Sequence, residues 1–520
     1  MSLKQVNRDT EVDERLAALM TNANAVRAVA SAVEGTIGPK GLDTMLVDKF
    51  GEVVITNDGV TILDLMEVNH PAAKMLVKTA KSQQEQVGDG TTTATLIAGS
   101  LVNNGVEQVV KGVPVVRIIE GIRAGVKTAL AFLQKEAQPL DINDPLLKRV
   151  ALIAGREHED IAELTLEAAR LVGKNKLLDP NFKLLETVVA EVGAKNEVFQ
   201  GVVINRTRMN RQMPAEIMGA KVLAIDDALE PEEIEEEALA TEAGFNRFLQ
   251  LQEEFRNNIQ KIVELGVKLV IVDRSVSDAA EEILSDAGVM VLQRVSNKEL
   301  RKAAEHTGAR LIKRTGLKKD ISEIEKLLGW AERVYEDEKL EHVRILGGAG
   351  ESAATILVGA GTEEVVGERE RIAKDAAAAV QAAIQGGIVA GGGAIELAAA
   401  REVEKERQKV RGMAAFGVDC VIEALKRPFS QIVSNAGFNP LEKVEEVWAA
   451  QAREEKNSLG VDCDTGDIVD MLERGIVDPA PVKIHALRTA GEVAEAILRI
   501  DTIIKKKETD TPDGRGKKEL

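Results

Sequence analysis

Hydrophobic residues near the start of the chain recur at intervals of three and four, which is the spacing of one helical face. This series consists of Leu16, Leu19, Ala23, Val26, Ala30 and Val33. Gly35, Gly38 and Pro39 follow the series and predict the end of the helix. Two hydrophobic triplets, 45–47 and 53–55, flank a short polar stretch and predict a hairpin. Long helices rich in Ala, Val and Leu are predicted to follow.

The middle of the chain has a different pattern, in which short hydrophobic runs alternate with amphipathic ones. The sequence predicts strands at 267–272, 289–292 and 310–313, with helices between them at 277–285 and 297–305. Alternation of this kind is typical of a compact α/β module. The last third returns to long, alanine-rich helices. Because helical ends surround an α/β middle, we expect one domain to be inserted into another, with the two chain ends packed together.

Residues 376–395 form a stretch without charge that superficially resembles a membrane segment. The stretch is rich in Ala and also contains two Gln and five Gly. It lacks the Leu, Ile and Phe content that membrane insertion requires. We therefore expect a buried helix that runs into a glycine turn, and no association with a membrane.

The composition narrows the possible functions. The 520 residues include 67 Lys and Arg against 85 Asp and Glu, which gives a formal net charge of −18. This acidity argues against a nucleic-acid-binding protein, which needs a basic surface for phosphates. Two cysteines are too few for a disulfide framework, and five scattered histidines show no zinc-binding pattern. The chain starts with a polar segment rather than an apolar signal region, so we expect a cytoplasmic protein.

The most informative motif for chemistry is the run Gly88–Thr93, directly before a predicted helix at 94–103. Glycines let the backbone approach an anion closely, and the amides at a helix start favour negative charge. The carboxylate of Asp89 would be a hard oxygen ligand for Mg²⁺. The run therefore predicts phosphate binding, although an ordinary N-cap turn made of Gly and Thr would have the same sequence.

Two further runs support a phosphate site. The turn Gly35–Gly41 offers backbone donors after a helix, but it is not a Walker A motif, because the chain contains no Gly-Lys-Ser/Thr. The run Thr56–Gly59 lies between a predicted strand and a predicted helix, where Asp58 could face the same site. The alternative for this run is an Asx turn that caps the helix.

In this order, the three runs resemble the nucleotide signatures of the chaperonins. The resemblance continues through Glu370-Arg371, Asp375-Ala376, Ala390–Ala394, Gly460–Asp462, Val477–Pro479 and Ile497–Asp501. It covers nearly the whole chain, and the order of the motifs is more specific than any one of them. The segment Val461–Asp464, and an acidic insertion with Phe residues before the α/β middle, resemble the group II branch, which comprises thermosomes and eukaryotic cytosolic chaperonins.

The resemblance implies that the chain uses ATP and Mg²⁺, and it assigns roles to particular residues. Asp89 would bind the metal ion, and Asp58 and Asp375 would be catalytic, positioning and activating the attacking water. The phosphates would be held by Gly88 to Thr92, and Asp478 would take the ribose hydroxyls. The full set of implied nucleotide contacts is Gly38, Pro39, Gly59, Gly88, Asp89, Gly90, Thr91, Thr92, Gly392, Gly393 and Asp478. Phosphoryl transfer needs mainly positioning and charge neutralisation, so these groups are sufficient for hydrolysis.

Asp375 lies in the charged run 367–375, and charges three and four apart usually form a solvated helix face, which is the alternative to catalysis.

Group II chains usually carry a Lys that contacts the terminal phosphate at the start of the intermediate domain. The corresponding segment of this chain, Ala151–His158, contains no Lys. Arg156 is the nearby cation that would substitute for it.

The acidic insertion begins at 230–237 and is followed by three of the ten Phe residues, Phe245, Phe248 and Phe255. The resemblance implies a built-in lid that closes a cavity, so no separate co-chaperonin is expected. The three Phe side chains would then contact other lids or client proteins, because exposed apolar groups mark interaction surfaces. The alternative is a charged amphipathic helix that packs on its own domain.

The predicted fold is that of a multidomain chaperonin with α+β and α/β parts. The predicted domains are a mostly helical equatorial domain at 1–139 and 393–520, an intermediate domain at 140–206 and 358–392, and an α/β apical domain at 207–357 with a helical lid at about 229–258. The resemblance also implies a homo-oligomer of two stacked rings with eight or nine subunits each.

The resemblance implies a chaperone that hydrolyses ATP to encapsulate and fold non-native proteins. Two other functions would place different demands on the sequence. A soluble ATP-dependent kinase or ligase would need a polar pocket for a small acceptor substrate, and the sequence shows no such constellation. A purely structural ring protein would not need the complete set of nucleotide-site carboxylates.

Overall fold

The computed structural model describes residues 10–13, 15–47, 51, 53–232 and 241–506. The chain divides into two compact units. The first comprises Met1–Ile153 and Ala378–Leu520, and the second comprises Ala154–Ala377. The first unit therefore combines the two ends of the chain. The predicted separation of intermediate and apical domains stays a prediction.

Long helices occupy both ends of the chain, and the longest strands lie in its middle. The helices are α1 (Arg15–Val33), α2 (Gly59–Leu65), α3 (Pro71–Val87), α4 (Thr91–Val110), α5 (Val115–Glu136), α6 (Pro145–Ala154), α7 (Glu159–Val172), α8 (Lys174–Leu177), α9 (Glu242–Glu264), α10 (Asp278–Asp286), α11 (Asn297–Thr307), α12 (Ile321–Glu325), α13 (Glu363–Gly386), α14 (Ala394–Arg407), α15 (Ala415–Asn435), α16 (Pro440–Arg453) and α17 (Ala480–Leu498). The strands are β1 (Thr10–Asp13), β2 (Thr44–Val47), β3 (Val53–Thr56), β4 (Val188–Val192), β5 (Glu197–Ile204), β6 (Glu216–Ile225), β7 (Val267–Val272), β8 (Met290–Leu292), β9 (Gly329–Asp337), β10 (His342–Gly348), β11 (Ala354–Ala360), β12 (Ile388–Ala390), β13 (Leu459–Val461), β14 (Ile468–Asp470), β15 (Val477–Pro479) and β16 (Ile503–Lys506).

The first unit is mainly helical and has an aliphatic core. Ala, Val, Ile and Leu side chains from α1, α3, α4, α5, α14, α15 and α17 form one buried cluster. Helix α1 is long and apolar enough to cross a membrane by length and composition, over 16–36. Its residues Leu19, Val26 and Val33 are nevertheless part of the buried cluster. A core helix passes that test as readily as a membrane span does.

Within the described residues, the strands of the first unit form four two-stranded sheets, β1–β16, β2–β3, β12–β15 and β13–β14. The predicted hairpin is confirmed as β2–β3, in which Met45 is opposite Ile55. The uncharged stretch is also buried, from Ala378 to Ile384 on α13. The short strand β12 separates that helix from the glycine turn, a detail that the sequence did not predict.

The second unit is built around an eight-stranded mixed sheet with the strand order β4-β11-β5-β10-β9-β6-β7-β8. The pairs β4–β11, β6–β7 and β7–β8 are parallel, and the other neighbours are antiparallel. In β7, Leu269 and Ile271 pack in the cluster that includes α11, whereas Val270 and Val272 pack in the cluster that includes α9 and α10. Successive strand residues point to opposite faces, so this part of the sheet is covered on both sides.

The structure tests the elements predicted for the middle of the chain. Strand β7 covers the predicted 267–272, strand β8 begins one residue later than predicted, and α10 and α11 are confirmed to within two residues. The strand predicted at 310–313 is wrong. In that segment Ile312 forms an isolated bridge with Ile225. The 3₁₀ helix Arg314–Lys318 begins two residues later and ends the extended conformation.

Candidate nucleotide-binding site

The segment 88–90 leads directly into α4, as the phosphate-binding prediction requires. Gly88 and Gly90 have φ angles of 71° and 77°, in the left-handed region that favours glycine because it lacks a Cβ atom. Gly90 is the N-cap of α4 and supplies no side-chain hydrogen bond to the helix. The first-turn amides are therefore not taken by a side chain of the N-cap residue, and an anion can accept their hydrogen bonds.

A buried glutamine holds this loop in place. The side-chain amide of Gln83 is fully buried and donates to the carbonyl oxygens of Asp89, at 2.8 Å, and Val482, at 3.1 Å. Its Oε1 lies 2.7 Å from Nδ1 of His485, and because an amide oxygen only accepts, Nδ1 donates. Burial, and then the charge of Arg488, lower the pKa of His485. The Gln83 network therefore ties the loop to α17 through both Val482 and His485.

The residues around Asp89 suit a magnesium ion bound together with phosphate. Among the described residues, no group of three or more His, Cys, Asp or Glu could hold a metal ion by itself. Mg²⁺ bound with a nucleotide needs only one or two carboxylates, because phosphate oxygens and water complete its shell. Asp89 is half-buried, and its Oδ1 accepts a hydrogen bond of 2.5 Å from the amide of Gly90. A single carboxylate at a helix start whose amides can donate to an anion fits that chemistry.

Asp58 caps the short helix α2. Its carboxylate accepts hydrogen bonds from the amides of Val60, at 3.4 Å, and Thr61, at 2.9 Å, and from the Thr61 hydroxyl at 2.6 Å. The amide of Asp58 donates to Oγ1 of Thr56 at 3.1 Å. The Asx-turn alternative describes this local geometry. These bonds also fix the direction of the carboxylate, so capping and a catalytic role are compatible.

Gly59 brings the Asp58 segment and the phosphate loop together. A Cβ atom built on Gly59 would lie 2.6 Å from Oγ1 of Thr92 and 3.0 Å from Oγ1 of Thr91. At 2.6 Å the Thr92 side chain would have to shift, so the absence of a Cβ atom at Gly59 permits this close contact. The start of α2 therefore lies against the start of α4.

Two glycine turns from distant parts of the chain lie on the same turn of α15. A Cβ atom on Gly38 would lie 3.0 Å from Cγ2 of Ile432, and one on Gly393 would lie 2.7 Å from Cα of Phe429. Phe429 and Ile432 are three residues apart in a helix and so are neighbours on its surface. Asn435, at the end of α15, donates to the carbonyl oxygens of the Gly38 turn that belong to Glu34 and Ile37.

Asp478 lies beside the second of these glycine turns. In the β12–β15 pair it is opposite Val389, just before Gly391–Gly393. Its carboxylate forms an ion pair of 2.8 Å with Lys483, which also lies 2.7 Å from Glu396. Burial lowers the pKa of Lys483, but attraction to Asp478 and Glu396 outweighs burial and raises it above its ordinary value. Lys483 is therefore a charged, buried group.

The structure thus brings together most of the residues proposed for the nucleotide. Gly59 lies against Thr91 and Thr92. Gly90 lies close to Val482, since a Cβ atom added to Gly90 would lie 2.5 Å from Cγ1 of Val482. Asp478 precedes Val482 by four residues. Sequence reasoning missed Gln83, Lys483, Glu396 and Asn435. The feature of the sequence that could have identified them is a polar residue within an otherwise apolar helical face, as at Lys483 near the start of α17.

Asp375 and Arg156 belong to the second unit. Asp375 is half-buried on α13 and is not on a fully solvated face. Arg156 forms an ion pair with Glu368, which also pairs with Arg371. Arg156 and its neighbour Glu157 have φ angles of 51° and 61°. Two consecutive non-glycine residues in the left-handed region are uncommon, and strain of this kind is concentrated at functional sites.

The three Phe residues of the predicted lid differ in exposure. All three lie on α9, and residues 233–240 of the acidic run lie outside the described residues. Phe245 is 52% exposed, and Phe248 is half-buried. Phe255 is only 7% exposed and packs in the core cluster beneath the sheet. Because its side chain is enclosed by its own unit, we correct the prediction and remove Phe255 from the contact surface.

Comparison with known proteins identifies the family. The family model of the TCP-1/cpn60 chaperonins matches residues 29–508. Thermosome subunit beta of Thermococcus kodakarensis is 36% identical over 515 residues, which cover 95% of this chain and 93% of the relative. A thermosome subunit of Pyrococcus horikoshii is 36% identical over 524 residues, with coverage of 96% and 94%.

A solved structure gives the same result for the fold. The crystal structure of a group III chaperonin in the open state superposes with a TM-score of 0.84 and 47% sequence identity. The match covers 94% of this chain and 99% of that chain. The chain is thus more similar to that group III subunit than to the two thermosome subunits.

These matches confirm the predicted chaperonin fold and the relation to thermosomes. They also confirm the predicted ATP-dependent chaperone and its ATPase activity, and they give no support to a small-molecule kinase or ligase. The chain belongs to the TCP-1/cpn60 chaperonin family.

Proposed function

We propose that this chain is the subunit of a double-ring chaperonin that uses Mg-ATP hydrolysis to open and close a folding cavity for non-native proteins. The observation that carries the proposal is the convergence, in the first unit, of the Gly38, Gly59, Gly88–Thr92, Gly392–Gly393 and Asp478 segments. Single glycine motifs are common, but here the start of α4 has no side-chain cap and contacts both the Gly59 segment and Val482 of α17. Together with the Gly38 and Gly393 turns, which lie against one turn of α15, this arrangement supports one shared ligand.

In this proposal the phosphates bind at the start of α4 and Mg²⁺ binds at Asp89, where it would neutralise phosphate charge. The carboxylate of Asp58, which is oriented by its capping bonds, would position the attacking water. Asp375 is carried into the proposal as the second catalytic carboxylate on the sequence resemblance. Arg156 is retained on the same basis as a contact to the terminal phosphate, and Pro39 as a contact beside Gly38.

Self-assembly is supported by an exposed apolar face on the β2–β3 hairpin. Met45, Val47, Val53 and Ile55 are each more than half exposed. Met45 pairs with Ile55 and Val47 pairs with Val53, so all four side chains lie on one face of the hairpin. Exposed apolar groups that are contiguous mark interaction surfaces. We propose that this face is covered by a neighbouring copy in rings of eight or nine subunits in the cytoplasm.

A built-in lid is supported by α9, whose N-terminal half carries exposed apolar side chains. Phe245 is 52% exposed and Leu249, one helical turn later, is 49% exposed. The same helix is anchored at its other end, where Ile259 and Ile262 are fully buried. We propose that the anchored half belongs to the apical domain at 207–357, and that the open half contacts clients or other lids without a separate co-chaperonin.

Particle size and ATP turnover test the proposal together. Sixteen or eighteen copies of a 56.0 kDa chain would form a particle of about one megadalton with a central cavity. Negative-stain microscopy should show such rings, and the Asp89→Asn variant should assemble but lose Mg-dependent ATP turnover. Asp64→Asn is the matched control, because Asp64 lies on α2 in an exposed ion pair with Lys81. A monomer or dimer, or equal turnover in both variants, contradicts the proposal.

A further inference from the structure

A buried lysine lies beside the carboxylate proposed for the ribose. The side chain of Lys483 is 9% exposed, and its ammonium group lies 2.8 Å from Asp478 and 2.7 Å from Glu396. Glu396 is 2% exposed, whereas Asp478 keeps 21% of its side chain exposed. Asp478 is therefore the member of this group that a ligand can reach.

The three residues come from three elements that border the proposed site. Asp478 is on β15, Glu396 is in the first turn of α14 directly after the Gly391–Gly393 turn, and Lys483 is in the first turn of α17. The ammonium group thus joins the strand of the ribose carboxylate to the helix that starts at the glycine turn. A buried charge is costly unless it is paired, and in this cluster one cation is shared between two anions.

The carboxylates of Asp478 and Glu396 differ in what they can contact. The ion pair of Lys483 with Asp478 involves Oδ2. This contact restrains the carboxylate and leaves its other oxygen able to accept a hydrogen bond from a hydroxyl group. Glu396 is too deeply buried to meet a nucleotide, and it holds the ammonium group from the opposite side.

We propose that Lys483 is a positioning residue that fixes the Asp478 carboxylate for the ribose hydroxyls of the nucleotide, with Glu396 as its anchor. This inference rests on the proposed function, since it assumes that ATP binds in the first unit with its ribose at Asp478. Without Lys483, two carboxylates would face each other unbalanced, and Asp478 would turn away from Glu396. The nucleotide would then lose its ribose contact while the phosphate loop stays intact.

If Lys483 only stabilised the fold, its replacement would weaken the binding of all nucleotides equally. The ratio of two affinities separates these cases. The dissociation constants of ATP and 2′,3′-dideoxy-ATP, which lacks both ribose hydroxyls, are measured by calorimetry on the assembled protein. The variants are Lys483→Met, Asp478→Ala and the surface control Lys81→Met, which removes an exposed ion pair with Asp64.

The wild type and Lys81→Met should prefer ATP over the dideoxy nucleotide by about tenfold or more, the range expected for a hydrogen bond to a charged group. Asp478→Ala should abolish this preference, and Lys483→Met should reduce it to about the same ratio. The double variant Lys483→Met/Glu396→Gln avoids an unpaired buried carboxylate and should give the same loss if the single variant does not fold.

Two results would contradict the proposal, and they can be told apart. A preference that is lost in Asp478→Ala but unchanged in the Lys483→Met variants overturns the positioning role alone. Failure of the wild type to bind ATP, or an unchanged preference in Asp478→Ala, overturns the proposed nucleotide site and this inference with it.

Discussion

The Gln83 network offers the sharpest test of how the phosphate loop is held. Replacing Gln83 with Leu keeps the size of the side chain approximately but removes two donors and one acceptor. The carbonyl oxygens of Asp89 and Val482 and the Nδ1 hydrogen of His485 would each lose the hydrogen bond to Gln83. A hydrogen bond within a protein contributes about 0.5–1.5 kcal/mol to stability. The loss of three such bonds predicts a decrease of about 3 kcal/mol in the free energy of unfolding of the first unit.

The chain allows this loss to be measured in the first unit alone. Its two tryptophans are Trp330, in the second unit, and Trp448, on α16 of the first unit. In a Trp330→Phe background, the fluorescence of Trp448 during denaturant unfolding reports the first unit. The affinity for ATP should fall in parallel, because the loop is no longer tied to α17.

Gln86→Leu is the matched control for this experiment. Gln86 lies on the same helix as Gln83, three residues later, and is exposed. Exposed substitutions of this kind change stability by about 0.5 kcal/mol or less. If Gln83→Leu unfolds at the same denaturant concentration as Gln86→Leu and binds ATP as tightly, the Gln83 network does not support the loop and the reasoning is refuted.

Three other predictions concern catalysis, the lid and pH. Asp375→Ala should keep nucleotide binding but lose most ATP hydrolysis, and unchanged turnover would remove Asp375 from the catalytic residues. Deleting residues 232–253 should spare ATPase activity and abolish client encapsulation, which a protease-protection assay on a trapped client would measure; continued protection would argue against the lid. Because burial and Arg488 lower the pKa of His485 in the folded state, the unfolded chain binds this proton more readily. His485 thus gives its full contribution to stability above the unfolded pKa of about 6.5 and loses it as the pH falls below that value. In the His485→Asn variant, the free energy of unfolding measured by denaturant titration should therefore depend less on pH in this range.

The glycine and aspartate motifs could be predicted from the sequence because their requirements are local. Gly88 and Gly90 need left-handed backbone angles, and Asp58 needs a helix start within three residues. Gln83 and Lys483 could not be found in this way. The partners of Gln83 include Val482, 399 positions away, and Lys483 acquires its role only when Glu396 and β15 are folded against it.

The two errors in the prediction have a physical origin. Aromatic character groups Phe255 with Phe245, although Phe255 lies four residues from Ile259 on the buried face of α9. Helical spacing, rather than side-chain type, decides its burial. The strand predicted at 310–313 is reduced to one residue, Ile312, which pairs with the sheet before the 3₁₀ helix begins.

ATP hydrolysis by the assembled chain is expected to drive the folding of other proteins. The most direct measurement is the recovery of active enzyme from a chemically denatured client, with the purified assembly, Mg²⁺ and either ATP or a non-hydrolysable analogue. Recovery is predicted with ATP, and none with the analogue or with the Asp89→Asn variant. Equal recovery with and without hydrolysable ATP would contradict this coupling of hydrolysis to folding.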